Sequence, residues 1–190
     1  MKKKLKISWN SPVVLSFVAV CLVATVLNYI TAGKSNELLF MTYHSSLKSP
    51  MTYIRFFTHV FGHADWVHFM GNMSYILLLG PLLEEKYKSQ TLIEVIAIAA
   101  LVTGLINYFL FPNIALCGAS GVVFAFMLLS SFTSFKEGEI PLTFLLVAVF
   151  FIGQQIIQGL TVEDNVSNMA HIVGGVVGGV CGYVLNKKNS

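Results

Sequence analysis

Residues 116–125 read LCGASGVVFA, a serine held between two glycines where an apolar helix begins. A hydroxyl in that position costs little in water and much in hydrocarbon, so its meaning depends on the solvent around the helix. The rest of the chain identifies that solvent. Of 190 residues, 55% are hydrophobic and 11% charged, with a mean hydropathy of +0.73, the composition of a membrane protein. The formal net charge of +3 comes from cations scattered at the ends of apolar runs. No basic cluster or nucleic-acid motif accompanies it, so no nucleic-acid partner is expected.

Working outward from Ser120, apolar runs near the roughly 20 residues a bilayer crossing needs fall at about 12–31, 66–83, 91–111, 119–136, 140–159 and 168–186. These boundaries predict a basic tail over residues 1–11, a six-helix membrane domain over 12–186 and a short tail over 187–190. The break between the fourth and fifth runs is a polar turn carrying Lys136, Glu137, Gly138, Glu139 and Pro141. The break before Ser120, FPNIALCG, has Pro112 and Gly118 but little charge. It reads as a connection that dips into the membrane, tolerated where backbone is buried in protein or faces a water-filled cavity.

With six crossings, both termini share one side. Lys2, Lys3, Lys4, Lys6, Lys86, Lys88, Lys136, Lys187 and Lys188 fall on that side, and only Lys34, Lys48 and Arg55 on the other. The excess of cations makes the shared side cytoplasmic. The opening MKKKLK and apolar run also resemble a secretory signal, but the run's length and the missing small-residue cleavage site favour a retained helix. Residues 32–65 form the one sizeable loop, rich in apolar and aromatic side chains, expected on or in the outer leaflet. Cys21, Cys117 and Cys181 read as buried thiols and not as a disulfide framework, with Cys117 close to the serine.

Polar residues inside spans are costly and tend to face the bundle interior or a cavity. Ser120 opens the fourth span, His171 the sixth, and His68 and Asn72 the second; the deduced topology starts all three helices at the outer face. Those residue types allow nucleophilic acyl transfer, with the serine attacking, the imidazole taking its proton and nearby donors stabilising the oxyanion. No carboxylate is obviously placed to orient His171, since Glu163 and Asp164 lie in the preceding loop and Glu94 near the cytoplasmic end of the third span. A Ser–His dyad is the simpler reading. Gly118 and Gly121 permit a tight entry into the helix, leaving Ser120 at its positive N-terminal end. His68 and Asn72, spaced i, i+4, share a helix face; the pair serves equally well as oxyanion donors or as interhelical ties.

In the sixth span, AHIVGGVVGGVCGY (170–183) repeats Gly174, Gly178 and Gly182 every four residues. Such a stripe allows close helix contact, either within the bundle against Gly121 and Ala125 or between two copies. The adjacent His171 favours the internal contact. His59, His63 and His68 invite a metal reading, weakened by the lack of a His-Glu-x-x-His motif, and no metal or other cofactor is expected. Gln154 and Gln158 either line a water cavity or join helices.

GASG (118–121), AHIVGGVVGG (170–179) and RFFTHVFGHADWVHFMGNM (55–73) together resemble the rhomboid intramembrane serine proteases over nearly the whole chain. The resemblance implies an all-α polytopic bundle of six transmembrane helices, with a membrane-embedded first loop and a re-entrant loop before the serine helix. It implies Ser120 as nucleophile and His171 as base, and an oxyanion hole of His68, Asn72 and the Ser120 N–H. Helix packing falls to Gly121, Gly174 and Gly178. Substrates would be transmembrane proteins, cut near the outer face of a bacterial plasma membrane, with lipid as the other partner. Two departures stand out: Phe124 replaces the family's tyrosine that stacks on the histidine, and Ile54-Arg55 replaces its Trp-Arg pair. Positions around Arg55 and Glu85 match its structural motifs. Readings of other classes are an inactive relative that binds membrane proteins, disfavoured by retention of Ser120 and His171, and a small transporter, disfavoured by polar groups gathered at one face.

Overall fold

Pro12 sets the first turn of an apolar helix, α1 (Pro12–Ile30), and the computed structural model, which describes residues 8–133, 139–154, 157 and 168–187, continues from it as a helical chain. A π-helical turn at Asn36–Phe40 precedes α2 (Pro50–Thr58). Next come α3 (Trp66–Tyr87), α4 (Ser89–Leu110), α5 (Ser120–Ser130), α6 (Leu142–Val147), which runs into a π-helical segment at Ala148–Ile152, and α7 (Asn168–Lys187). Among the described residues four helices, α1, α3, α4 and α7, are long and apolar enough to cross a membrane. Val23, Leu78, Ile98 and Val184 are among the large apolar side chains left on their outer surfaces, as lipid contact requires. This is an integral membrane protein.

The helix at Ser120 is shorter than its apolar run. The 11 residues of α5 span about 16 Å at 1.5 Å each, half of a hydrocarbon core of about 30 Å. Its end is built from hydroxyls: Ser130 Oγ and Ser131 Oγ both donate to the Met127 carbonyl, and Thr133 Oγ1 donates to that of Ser130. Residues 134–138, where the run continues into the expected polar turn, lie outside the described residues. So do Lys2, Lys3, Lys4, Lys6, Lys188, Gln158, and the loop carrying Glu163 and Asp164.

Short or not, α5 is the axis of the bundle. Every residue from Gly121 to Leu129 is buried, as expected for a helix apolar on all faces. Helix α7 presses directly on it: a Cβ added at Gly174 would lie 2.1 Å from the Gly121 carbonyl oxygen, and one at Gly178 2.1 Å from that of Ala125. The same stripe ends at Gly182 against the Phe132 ring. At this end Asn186 Nδ2 donates to the Tyr87 hydroxyl (2.9 Å), tying α7 to α3. Val14 of α1 packs on Gly80 of α3.

Of the two adjacent carboxylates at the end of α3, it is Glu84 and not Glu85 that has a structural role. Glu84 is buried and accepts the Val13 and Val14 N–H groups (3.0 and 3.1 Å) and the Ser89 hydroxyl (2.7 Å), while Glu85 is exposed. It supplies from a distance the cap that α1 lacks, because Ser11 makes no side-chain cap of its own.

The loop from 32 to 65 is held by polar ties to its own turns. Arg55 is buried, donating to the Glu37 carbonyl, the Tyr43 hydroxyl and Ser45 Oγ, with its guanidinium 4.3 Å from the Tyr43 ring centroid. Asn28 and Asn36 both donate to the His63 carbonyl. The loop is also pinned to the segment before Ser120, where Thr42 and Leu116 exchange backbone hydrogen bonds of 2.9 and 2.8 Å.

Candidate active site

The segment that delivers Ser120 is fixed at three points. Asn107 Nδ2 holds the Ile114 carbonyl at 2.9 Å, Leu116 pairs with Thr42, and the Gly118 N–H donates to the His59 carbonyl at 2.9 Å. Gly118 then turns with φ +125°, and a Cβ there would meet His68 Cε1 at 2.6 Å. Glycine is required twice over, for the backbone angle and for the ring beside it. Gly121, by contrast, is helical, and a Cβ there would press on Thr103 Cγ2 of α4 at 3.1 Å, with the Ala170 carbonyl oxygen of α7 at an ordinary 3.5 Å.

Helix α5 starts at Ser120, so the N–H groups of its first turn have no partner inside the helix. Helix α3 starts at Trp66, capped by Asp65, whose Oδ1 accepts the His68 N–H at 2.8 Å. Helix α7 starts at Asn168, with His171 in its first turn. The three helix starts open on one cavity of about 590 Å³, lined by Ser120, His171, His68, Asn72, Phe124 and Gln154, with Asp65 and Tyr75 at its wall.

Within it, the Phe124 and His171 rings stack, centroids 4.6 Å apart and 5° from parallel. Phe124 also meets Phe151 edge-on at 6.1 Å. A phenyl face thus fixes the plane of the imidazole without adding a hydroxyl. Asn72 is buried, and its Nδ2 has no hydrogen-bond partner among the described residues. It lies 3.6 Å from where a Gly118 Cβ would be. An unpaired buried amide costs about 1–3 kcal/mol, and this one stands on a cavity that Ser120 also lines.

The other two histidines do separate work. His59 is buried and bonds the Ala100 carbonyl at 3.0 Å through Nε2. Burial pushes it down to about 4, with the Ala100 bond pulling the other way. His63 is fully buried, packs edge-on against the His68 ring at 5.2 Å and bonds the Phe61 carbonyl. Burial and the neighbouring His68 bring it also to about 4, opposed by the Phe61 bond and Asp65. Among the described residues no group of three His, Cys, Asp or Glu side chains is arranged to hold a metal ion. Cys117 is half-buried and unpaired by disulfide.

Asp65 and Tyr75 join the cavity wall although no sequence motif singles them out as site residues. Asp65 had a legible signal as the helix-capping acid of ADWVH; Tyr75, on an exposed lipid-like face by composition, had none.

A family model described as Rhomboid domain matches residues 50–188. Rhomboid-related protein 1 of Caenorhabditis elegans is 31% identical over 140 residues, 69% of this chain and 39% of that protein. Rhomboid protease GlpG of Haemophilus influenzae is 25% identical over 165 residues, 83% of this chain and 84% of that protein. The chain therefore spans about two fifths of the nematode relative's length and most of the bacterial one's.

Proposed function

The chain belongs to the rhomboid family, and from that premise we propose that it is an intramembrane serine endopeptidase that cuts transmembrane segments of other membrane proteins. Ser120 Oγ attacks the scissile carbonyl carbon as His171 takes its proton. The carbonyl oxygen becomes an oxyanion facing His68, Asn72 and the Ser120 N–H. As the tetrahedral intermediate collapses, the C–N bond breaks and His171 returns the proton to the leaving amine. Water, activated by the same imidazole, then releases the acyl group from Ser120.

The observation that carries this reading is the cavity where three helix starts converge, with Ser120, His171 and Asn72, whose Nδ2 has no partner among the described residues, on its wall. The reading extends to topology. Six crossings are proposed, with α5 entered from a re-entrant loop, the 32–65 loop embedded in the outer leaflet, and both termini in the cytoplasm of a bacterial cell. The half-bilayer length of α5 supports this, since a helix of 11 residues reaches the opposite side only if it begins about halfway down the bilayer, as a re-entrant loop allows. Water then has to reach Ser120 through the cavity, and Gln154 on its wall suits that purpose.

The test is cleavage of a panel of single-pass transmembrane substrates by purified protein, beside Ser120→Ala. Cleavage by the wild type and none by the variant is the expected result. Stable binding of the panel without cleavage would favour the inactive, membrane-protein-binding relative instead.

A further inference from the structure

We propose that Asp65 gives the cavity a charge preference: it favours substrates with a basic residue, and disfavours those with an acidic one, in the segment flanking the scissile bond. This inference rests on the protease reading above and names the substrate class of that same site.

Asp65 sits on the wall of the cavity that holds Ser120 and His171, and its side chain is exposed there. One carboxylate oxygen is committed, since Oδ1 accepts the His68 N–H at 2.8 Å. That bond anchors the side chain at the start of α3, so its charge is held in place instead of sampling solvent. The second oxygen makes no hydrogen bond among the described residues.

No cationic side chain among the described residues lines the cavity to cancel the charge, and the helix start that Asp65 caps offsets only part of it. Asp65 is the sole Asp, Glu, Lys or Arg among the described residues lining the cavity. Between Phe56 and Asn186 the sequence has three cations, Lys86, Lys88 and Lys136. The first two lie at the far end of α3, about 30 Å along the helix from Asp65. Arg55 is turned to Tyr43, Ser45 and the Glu37 carbonyl. The other walls are largely apolar, with Val67, Val123 and Met127 among them. A concave, largely apolar surface bearing a single charged side chain focuses its field on whatever enters.

At about 6 Å, with an effective dielectric between those of protein surface and water, a unit charge alters binding by about tenfold. Basic and acidic flanks are shifted in opposite directions. The wild type should therefore prefer the basic substrate over the acidic one by at least about tenfold, the gap shrinking as salt is raised.

The experiment uses three transmembrane substrates identical except for Lys, Gln or Glu at each flanking position in turn, with kcat and KM measured for wild type and Asp65→Asn. Asparagine caps a helix as well as aspartate does, so this variant removes charge and keeps the cap; Asp65→Ser is a second cap-retaining variant should the first not fold. The expected result is a Lys-over-Glu ratio of at least about ten in the wild type, carried by KM and falling toward one in the variant. Equal ratios in wild type and variant, with the Gln substrate cleaved and Ser120→Ala inert, would overturn the role of Asp65 and leave the protease reading intact. Failure of the wild type to cleave any of the three would overturn both.

Discussion

Replacing Gly174 by alanine should disable the site from outside it. The added Cβ would stand 2.1 Å from the Gly121 carbonyl oxygen and 2.8 Å from its Cα. Those are backbone atoms in a buried helix, so no side chain can swing away. Restoring an ordinary contact of 3.4 Å moves α7 off α5 by about 1.3 Å. Gly174 is three residues beyond His171 on the same helix, and Gly121 directly follows Ser120. The displacement therefore opens the interval between the proposed nucleophile and base. A misplacement of about 1 Å costs about 10²-fold in rate, and overpacking of this kind costs about 1–3 kcal/mol in stability.

The assay is kcat on a transmembrane substrate together with a melting curve in the same detergent. Gly174→Ala should lose about two orders of magnitude in kcat, more than its lowered folded fraction explains. Gly179→Ala is the control, because among the described residues its Cβ would meet only the Phe144 ring, at 3.4 Å. It should melt and cleave much as the wild type does. A Gly174→Ala enzyme with unchanged kcat would refute the claim that this contact sets the dyad.

Other perturbations should separate the remaining roles. Ser120→Ala and His171→Ala should each reduce cleavage and fluorophosphonate labelling to background, and the double variant should be no worse than either, because the two act as one unit. Asn72→Ala should keep a trace of activity, losing about 10²–10³ in kcat; a loss that merely tracks unfolding would make Asn72 a helix tie. Glu84→Ala should cost about 1–3 kcal/mol in stability by leaving buried N–H groups unpaired, whereas Glu85→Ala should stay within about 0.5 kcal/mol. Thermal stability should decline as pH falls below about 6.5. His59 and His63 are held near 4 in the folded protein, so the unfolded chain takes up protons first; a melting temperature flat from pH 7.5 to 4.5 would contradict this.

The polar members of the site were legible because hydrocarbon makes them conspicuous. Ser120, His171, His68 and Asn72 interrupt runs in which a polar group is costly, and the order of crossings alone put three of their helices at a common face. The glycines were legible as a pattern, but only the packing assigns them to α5 and not to a second copy. Local chemistry that depends on distant chain was not legible. Nothing in the dipeptide Glu84-Glu85 says which carboxylate meets α1, because that depends on where the N–H groups of Val13 and Val14, some seventy residues earlier, come to lie. The end of α5 was hidden for a similar reason. Hydropathy continues past Ser130, whereas Ser130, Ser131 and Thr133 turn their hydroxyls back onto carbonyls of the helix itself.

The three histidines of THVFGHADWVH show how spacing can mislead when neighbours in sequence serve different partners. A ligand set would need three rings aimed at one point. Here the His59 ring is engaged by Ala100 of α4, His63 packs edge-on against the His68 ring, and only His68 lines the cavity. The backbone adds a second connection, since the His59 carbonyl receives the Gly118 N–H just two residues before Ser120. His63 is in turn gripped through its own carbonyl by Asn28 and Asn36. The first loop thus reaches the site twice, once through the strand of backbone that presents the serine and once through the ring that backs His68. Loosening the loop at Arg55, whose donors tie Glu37, Tyr43 and Ser45 together, should therefore weaken catalysis through positioning, although no atom of Arg55 lines the cavity.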